Sequence, residues 1–477
     1  MDSLYIVMLF LASLLAPVLV FGTPQHTNVP LEFFCNRSGH TSTRNGNAVY
    51  IAGGTRYPQT LNNTNIYDRS LIKIDLSHSW DLMLEGKPAS LIGSLNASNA
   101  PPPRLMGTSL YYNTTDDFYV FGGGVATSNI STTRPIVSLQ VPNTLWTLAN
   151  DSYAWSSTPI EPLGVKFASS QMIYAHAPDQ NLVAYLNGIP GNGSSQQGPF
   201  RMMILNTKTK DSRLLSVYES SKYTIRAGAT FLYLPRMGKK GGFVLFGGSH
   251  LHPGNITSDP WGTMATLDTI HIFDIASLDT SPNGIWYTQR TNGRTPPPRQ
   301  DTCAVPIMSP DNTNYHIYMG SGRSPSTIHD DVWVLSIPQF RWTQVFEGKR
   351  PNFGCTSHLA GNKQMLMLGG MVGHDSCEAS PHVTLYDMTN LKFMQSYVMD
   401  DDAFRVPKAV WERIDGSPMG EAKMRVPEGG FMDAGLASMF EGMQIHSEQT
   451  GQGDGRTGYA NRWAIYTAVV LTIALLW

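Results

Sequence analysis

A short apolar run ending in a glycine doublet, or a near-doublet, recurs along this chain and constrains its fold more than any other feature. It appears as Val49-Tyr50-Ile51-Ala52-Gly53-Gly54, as Phe118-Tyr119-Val120-Phe121-Gly122-Gly123, and in degraded form as Leu182-Val183-Ala184-Tyr185-Leu186-Asn187-Gly188. Phe243 to Gly247-Gly248, Tyr315 to Gly320-Ser321-Gly322, and Met365 to Gly369-Gly370 bring the count to six. Each run is β-branched, aromatic or aliphatic throughout, as expected of a strand buried on both faces. Glycines end it where the backbone needs positive φ or close approach.

A second apolar strand follows each doublet after a loop of variable length, for example Leu71 to Asp75, Thr269 to Asp274 and Val332 to Leu335. Five copies then place an aromatic after a turn, at Trp80, Trp155, Trp286, Trp342 and Phe393, large enough to fill the wedge between neighbouring sheets. Arg104, Arg226 and Arg299 precede the first strand of repeats two, four and five. Strand, doublet, strand, turn and aromatic strand make one four-stranded unit.

This pattern resembles the kelch repeat over roughly Cys35 to Tyr397. The resemblance implies an all-β, six-bladed kelch-type β-propeller, with residues 29–399 forming the ring. A seventh blade is not expected, because Gly429-Gly430 follows Val426-Pro427-Glu428 rather than an apolar strand. The segment Val29 to Phe34 is expected to complete the last blade as its outer strand. More narrowly, Leu267 to Ser277, Pro296-Pro297-Pro298-Arg299, Phe34-Cys35-Asn36-Arg37 and Val406-Pro407-Lys408 are similar to the secreted or membrane-anchored kelch-repeat proteins of filamentous fungi. That family supplies no assigned activity.

The two ends speak to compartment. Leu4 to Phe21 is apolar and ends in Val20-Phe21-Gly22, so residues 1–22 read as a secretory signal peptide, with an uncleaved anchor as the alternative. Residues 463–477 carry no charge. Fifteen residues in a helix reach about 22 Å, short of a roughly 30 Å bilayer core. Small residues at Gly451 and Gly453 before this tail suit a glycolipid-anchor signal; a short membrane span or a buried strand are the alternatives. Residues 400–462, rich in Gly, Pro and Met, read as a partly ordered stalk with a short helix over Asp433 to Phe440, and a helix lying against the propeller is the alternative. Eight Asn-x-Ser/Thr acceptors, Asn36, Asn62, Asn96, Asn113, Asn129, Asn150, Asn192 and Asn255, point to a glycosylated, extracellular propeller. Of four cysteines, Cys355 and Cys377 are expected to pair within blade six, leaving Cys35 and Cys303 free.

Charged residues are 15% of the chain and its net charge is −2, so nothing here tracks a nucleic acid backbone. His250 with His252, and His374-Asp375 with Cys377-Glu378, are the only clusters resembling metal ligands, and both follow a doublet in long loops. Asp116-Asp117 and Asp330-Asp331 read as turn residues. No nucleophile elbow, phosphate loop or zinc-protease motif occurs, and no cofactor is implied. The sequence thus points to a cell-surface or secreted module that binds a protein or glycan through its longest loops, Arg56 to Asn65, Val125 to Pro135 and Leu251 to Asp268. A galactose-oxidase-like or other extracellular propeller enzyme is the alternative.

Overall fold

The computed structural model describes residues 27–29, 34, 36–56, 66–67, 71–82, 89–92, 105–113, 117–126, 137–138, 143–149, 154–160, 165–167, 173–186, 188–190, 201–216, 225–251, 262–348, 351–371 and 383–449. Among them, six four-stranded antiparallel blades follow one another along the chain. Blade 1 runs Ser38–Asn45, Ala48–Arg56, Leu71–Asp75 and Ala89–Ile92, from the axis outward. The inner strands of blades 2 to 6 are Ser109–Tyr112, Ile173–Ala177, Thr230–Leu234, Cys303–Met308 and Thr356–Ala360. Each inner strand touches the next, and that of blade 6 touches that of blade 1, so the ring is closed.

Closure is hydrophobic at every seam. Six separate buried clusters lie one between each pair of neighbouring blades. The cluster between blades 6 and 1 joins Val49, Ile51, Ile72 and Ile74 to Leu366, Leu368 and Leu385. Trp80, Trp155 and Trp342 fill wedges as their spacing implied. The alternation of strand side chains explains the arrangement: Ala175 and Ala177 face blade 4, while Tyr174 packs towards blade 2.

Three expectations are corrected. The N-terminal strand Thr27–Val29 does not complete blade 6; it pairs antiparallel with Ala89 to Leu91 as a fifth strand of blade 1. Blade 6 already has its own outer strand, Lys392–Met394, and the chain then clasps blade 1 by pairing Ser396–Tyr397 with Trp80–Asp81.

Residues 400–440 are not a free stalk. Phe404, Val406 and Val410 are buried against blades 5 and 6. Thr389 accepts from Arg405 N, Asp311 accepts from Glu421 N, and Gln339 donates to Met424 O. The helix Ala434–Gln449 then buries Leu436, Met439 and Phe440 with Met237, Trp333 and Phe340. The segment is a strap running beneath blades 6, 5 and 4 in turn, held by apolar side chains at both its ends. A helical turn at Lys408–Trp411 lies within it.

Cys355 pairs with Cys303, not with Cys377; their Cα atoms are 5.8 Å apart and both are buried. The bond crosses from blade 5 to blade 6. Inner strands of consecutive blades converge on the axis, which brings like positions of the repeat together across the seam. Cys35 and Cys377 lie outside the described residues, as do Gly451, Gly453 and the tail 463–477. Among the described residues no helix is long and apolar enough to cross a membrane.

With a sequence separation of 52 between the two cysteines, the chain-entropy argument gives the crosslink a contribution of about 4 kcal/mol. Replacing both by Ser should therefore lower unfolding stability by about 2 to 4 kcal/mol in urea melts. Non-reducing peptide mapping should join Cys303 to Cys355, and a peptide joining Cys355 to Cys377 would refute the assignment.

Candidate functional site

The blades give the ring two unlike faces. One carries tight turns, such as Asn45 to Ala48 and Gly361 to Gln364, together with longer connections such as Ile275 to Gly284, and receives the strap. The other carries the glycine doublets and the chain segments that enter each inner strand, because Cys303 pairs with Gly320 and Thr356 with Leu368 across the first hairpin. All three of the expected recognition loops leave from this doublet face. Their tips, 57–65, 127–136 and 252–261, lie outside the described residues.

Their stems are described, and they are β-ribbons raised on the ring. Gly124–Ala126 pairs with Leu105–Met106 and Val137–Ser138, while Ser249–Leu251 pairs with Ile225–Ala227 and Thr263–Met264. In blade 3, Gly188 opens the stem strand Gly188–Pro190. A loop on such a stem is anchored at both feet by ladder hydrogen bonds.

The rim beneath the stems is made by the doublets. Both residues have positive φ at Gly53 and Gly54, Gly122 and Gly123, Gly247 and Gly248, and Gly369 and Gly370. In blade 5 this conformation falls on Ser321 and Gly322, whereas Gly320 ends the strand. Two consecutive left-handed residues turn the second N–H sideways to the next blade. Gly248 donates to Arg299 O (2.8 Å), Gly322 to Asn352 O (2.7 Å) and Gly370 to Arg37 O (2.7 Å), the last of these across the closing seam. A Cβ at Gly248 would stand 2.6 Å from Ala227 O, so close approach and φ both require glycine there.

The same segments carry the arginines. Arg37 donates to Gly53 O and Arg226 to Gly247 O, tying side chain to doublet in blades 1 and 4. Arg299 is fully buried, donates to Ser321 O and makes a bidentate pair with Asp331, whose second oxygen also accepts from Trp333 Nε1 at 2.7 Å. Burial alone would raise the Asp331 carboxyl; the bond and charge of Arg299 outweigh it and hold the group below the usual carboxylate range. Asp331 is therefore a structural ion-pair partner rather than the turn residue its sequence suggested. Arg323 pairs with Asp301 at 2.8 Å and lies over the Phe353 ring. Beside them a crevice lined by Ser321, Asp330, Asn352 and Phe393 has about 20 Å³ of room, enough for one water.

Polar side chains on and beside the inner strands bond from blade to blade. Tyr174 of blade 3 reaches past Leu110 of blade 2 to Thr41 Oγ1 of blade 1, at 2.6 Å. Thr230 and Thr302 bond to each other across the seam between blades 4 and 5.

His250 sits on a stem strand; His252 and 374–378 lie outside the described residues. Among the described residues no three His, Cys, Asp or Glu side chains are placed to hold a metal ion. Of the glycosylation candidates, Asn36 is 4% exposed with positive φ and has no room for a glycan, which corrects the expectation for that site. Asn113 spends its amide on Tyr119 Oη at 2.7 Å. The other six acceptors lie outside the described residues.

The fold and the rim define a class: a closed six-bladed propeller whose polar groups are engaged in holding the ring, with raised loops on one face. The comparisons agree. The chain is 25% identical over 86% of its length to a kelch repeat-containing protein of Arthroderma benhamiae, of which it covers 67%. A stretch of 132 residues is 29% identical to host cell factor of Drosophila melanogaster, covering 8% of that protein. No family model matches. With its doublets, its blades and this likeness, the chain is a kelch-repeat protein.

Arg299→Met leaves the Asp331 carboxylate buried without its partner and should destabilise the ring by about 3 to 5 kcal/mol in denaturant melts at pH 7. Because the folded carboxyl is held low, the pair's contribution is full above about pH 4 and is lost as pH falls through the folded value. The variant should accordingly lose its deficit relative to wild type in strong acid. A deficit below about 1 kcal/mol at pH 7 would contradict the role given to the pair.

Proposed function

We propose that this chain is a binding module that recognises a protein, or a glycan carried on one, with the loops of its doublet face. The observation that carries this reading is the division of labour between the faces. The turn face is covered beneath blades 4 to 6 by the chain's own strap, whereas the doublet face supports three long loops on ribbon stems above a rim whose arginines hold the blades. A rigid ring with variable loops suits recognition. The likeness to kelch-repeat proteins supports protein binding, and the partner is a proposal because fold alone names none.

The proposed setting is the cell surface. The apolar N-terminus, the acceptors at Asn62, Asn96, Asn129, Asn150, Asn192 and Asn255, and the buried Cys303–Cys355 bond support a secretory route, since such bonds persist in oxidising compartments. We further propose attachment to glycolipid at Gly451 or Gly453.

The test replaces the loop tips 57–65, 127–136 and 252–261 by short Gly-Ser linkers and compares crosslinked partners and glycan-array binding with wild type. Partners captured by wild type should be lost, while circular dichroism stays unchanged; substitution of Lys239 and Lys240 on the turn face should leave capture intact. Capture that survives the loop replacement would overturn the reading.

A further inference from the structure

The seam between blades 6 and 1 joins parts of the ring that are not consecutive in the chain. Neither blade lends the other a strand of its main sheet, and among the described residues the apolar cluster, side-chain and rim bonds and the short clasp hold them. Two of those bonds use imidazoles. His40 Nε2, on the inner strand of blade 1, lies 3.1 Å from both Leu368 O and Thr356 Oγ1 of blade 6. His358 Nε2, on the inner strand of blade 6, lies 2.6 Å from Ser42 Oγ of blade 1.

Positive charges act on them: Arg37 and His358 act on His40, and Arg44, which donates to Leu359 O, acts on His358. Among the described residues, carboxylates stand at the turn end of the seam, where Asp401 accepts from Asn362 N and Gln364 Nε2 and with Asp400 acts on Tyr397. Thr356, Leu368 and Ser42 bring no charge to the imidazoles.

We propose that this seam is an acid-labile latch, which parts blade 6 from blade 1 when His40 and His358 take up protons while each blade keeps its own strands. Burial, then Arg37, lowers His40 to about 3; burial, then Arg44, lowers His358 to about 3. His40 is buried and His358 is half-buried beside the channel, where water screens it, so His40 is the stronger element. Both groups hold fewer protons in the closed ring than in the open one. Closure is thus fully stable above about pH 6.5 and weakens as pH falls towards the closed-state values. His316 is also buried and His176 half-buried, and both are lowered, but they lie in blades 5 and 3, whose neighbours on both sides are consecutive in the chain.

Hydrogen-exchange mass spectrometry of the full chain between pH 7 and 5, corrected for intrinsic exchange, tests the latch. Peptides covering 38–45 and 356–368 should open more readily by about ten- to a hundredfold per pH unit below about 6.5, one decade per proton taken up. Peptides covering 173–186 and 303–320 should lag behind. His40→Gln and His358→Gln keep a polar group at Nε2 without its charge, and each should flatten the dependence at the seam. Seam peptides that open no earlier than those of blades 3 and 5, or glutamine variants with wild-type pH dependence, would overturn the proposal. Should a variant fail to fold at neutral pH, the wild-type comparison between seam and control peptides decides alone.

Discussion

The ring depends on a backbone feature: a pair of left-handed residues after the second strand of blades 1, 2, 4, 5 and 6, which in blades 4 to 6 is aimed at the blade beside it. Strand geometry alone would leave that N–H pointing away from its neighbour. Two successive positive φ values turn it across the seam, where it meets the carbonyl of Arg299, Asn352 or Arg37. A second tier of backbone bonds reinforces the first just before the inner strands, with Gly107 donating to Gly39, Asp301 to Gly228 and Gly354 to Asp301. The donor groups that would otherwise be stranded at a buried rim are thereby satisfied blade to blade.

The rest of the molecule can be understood from that rim. Since the doublets close the seams at one face, the loops that follow them must rise above it, and their feet extend into ribbons. The opposite face leaves apolar edges below blades 4 and 5, such as Met237 and Phe340; the strap covers them with Leu436, Met439 and Phe440. Stability and recognition are thus assigned to different parts of the chain. Arginines that in isolation suggest an anion site are occupied with carbonyls and with Asp331.

The repeat was legible because it is dictated locally: a doublet must follow each second strand, and a run such as Phe243 to Phe246 is apolar on both faces whatever its neighbours do. Even the blade 5 variant, Gly320-Ser321-Gly322, could be placed, although which two residues adopt the left-handed turn could not. The cysteine pair was missed because a reading confined to one blade seeks partners along the hairpin. The usable signal was that Cys303 and Cys355 open the same strand of consecutive repeats. The strap was missed because Pro407, Pro418 and Pro427 interrupt any long period. Its anchors were nonetheless written at helical spacing, as Val406, Val410 and Ile414 and as Leu436, Met439 and Phe440. The burial of Asn36 had no local signal at all, since an acceptor triplet carries no information about which side of a seam it will face.

The most direct test compares two glycines that share a left-handed backbone and differ only in what surrounds them. Gly369 of blade 6 has φ +65° and would bring a Cβ within 2.7 Å of Arg37 O of blade 1, whereas Gly429 has φ +86° and nothing within 4 Å. Alanine at Gly429 should cost only the backbone strain, about 1 kcal/mol. At Gly369 it must also push apart the seam between blades 6 and 1, where Gly370 donates to Arg37 O, so urea melts should show a loss of about 3 kcal/mol or more. Equal losses at the two positions would mean that conformation alone, and not the contact between blades, is what the doublets provide.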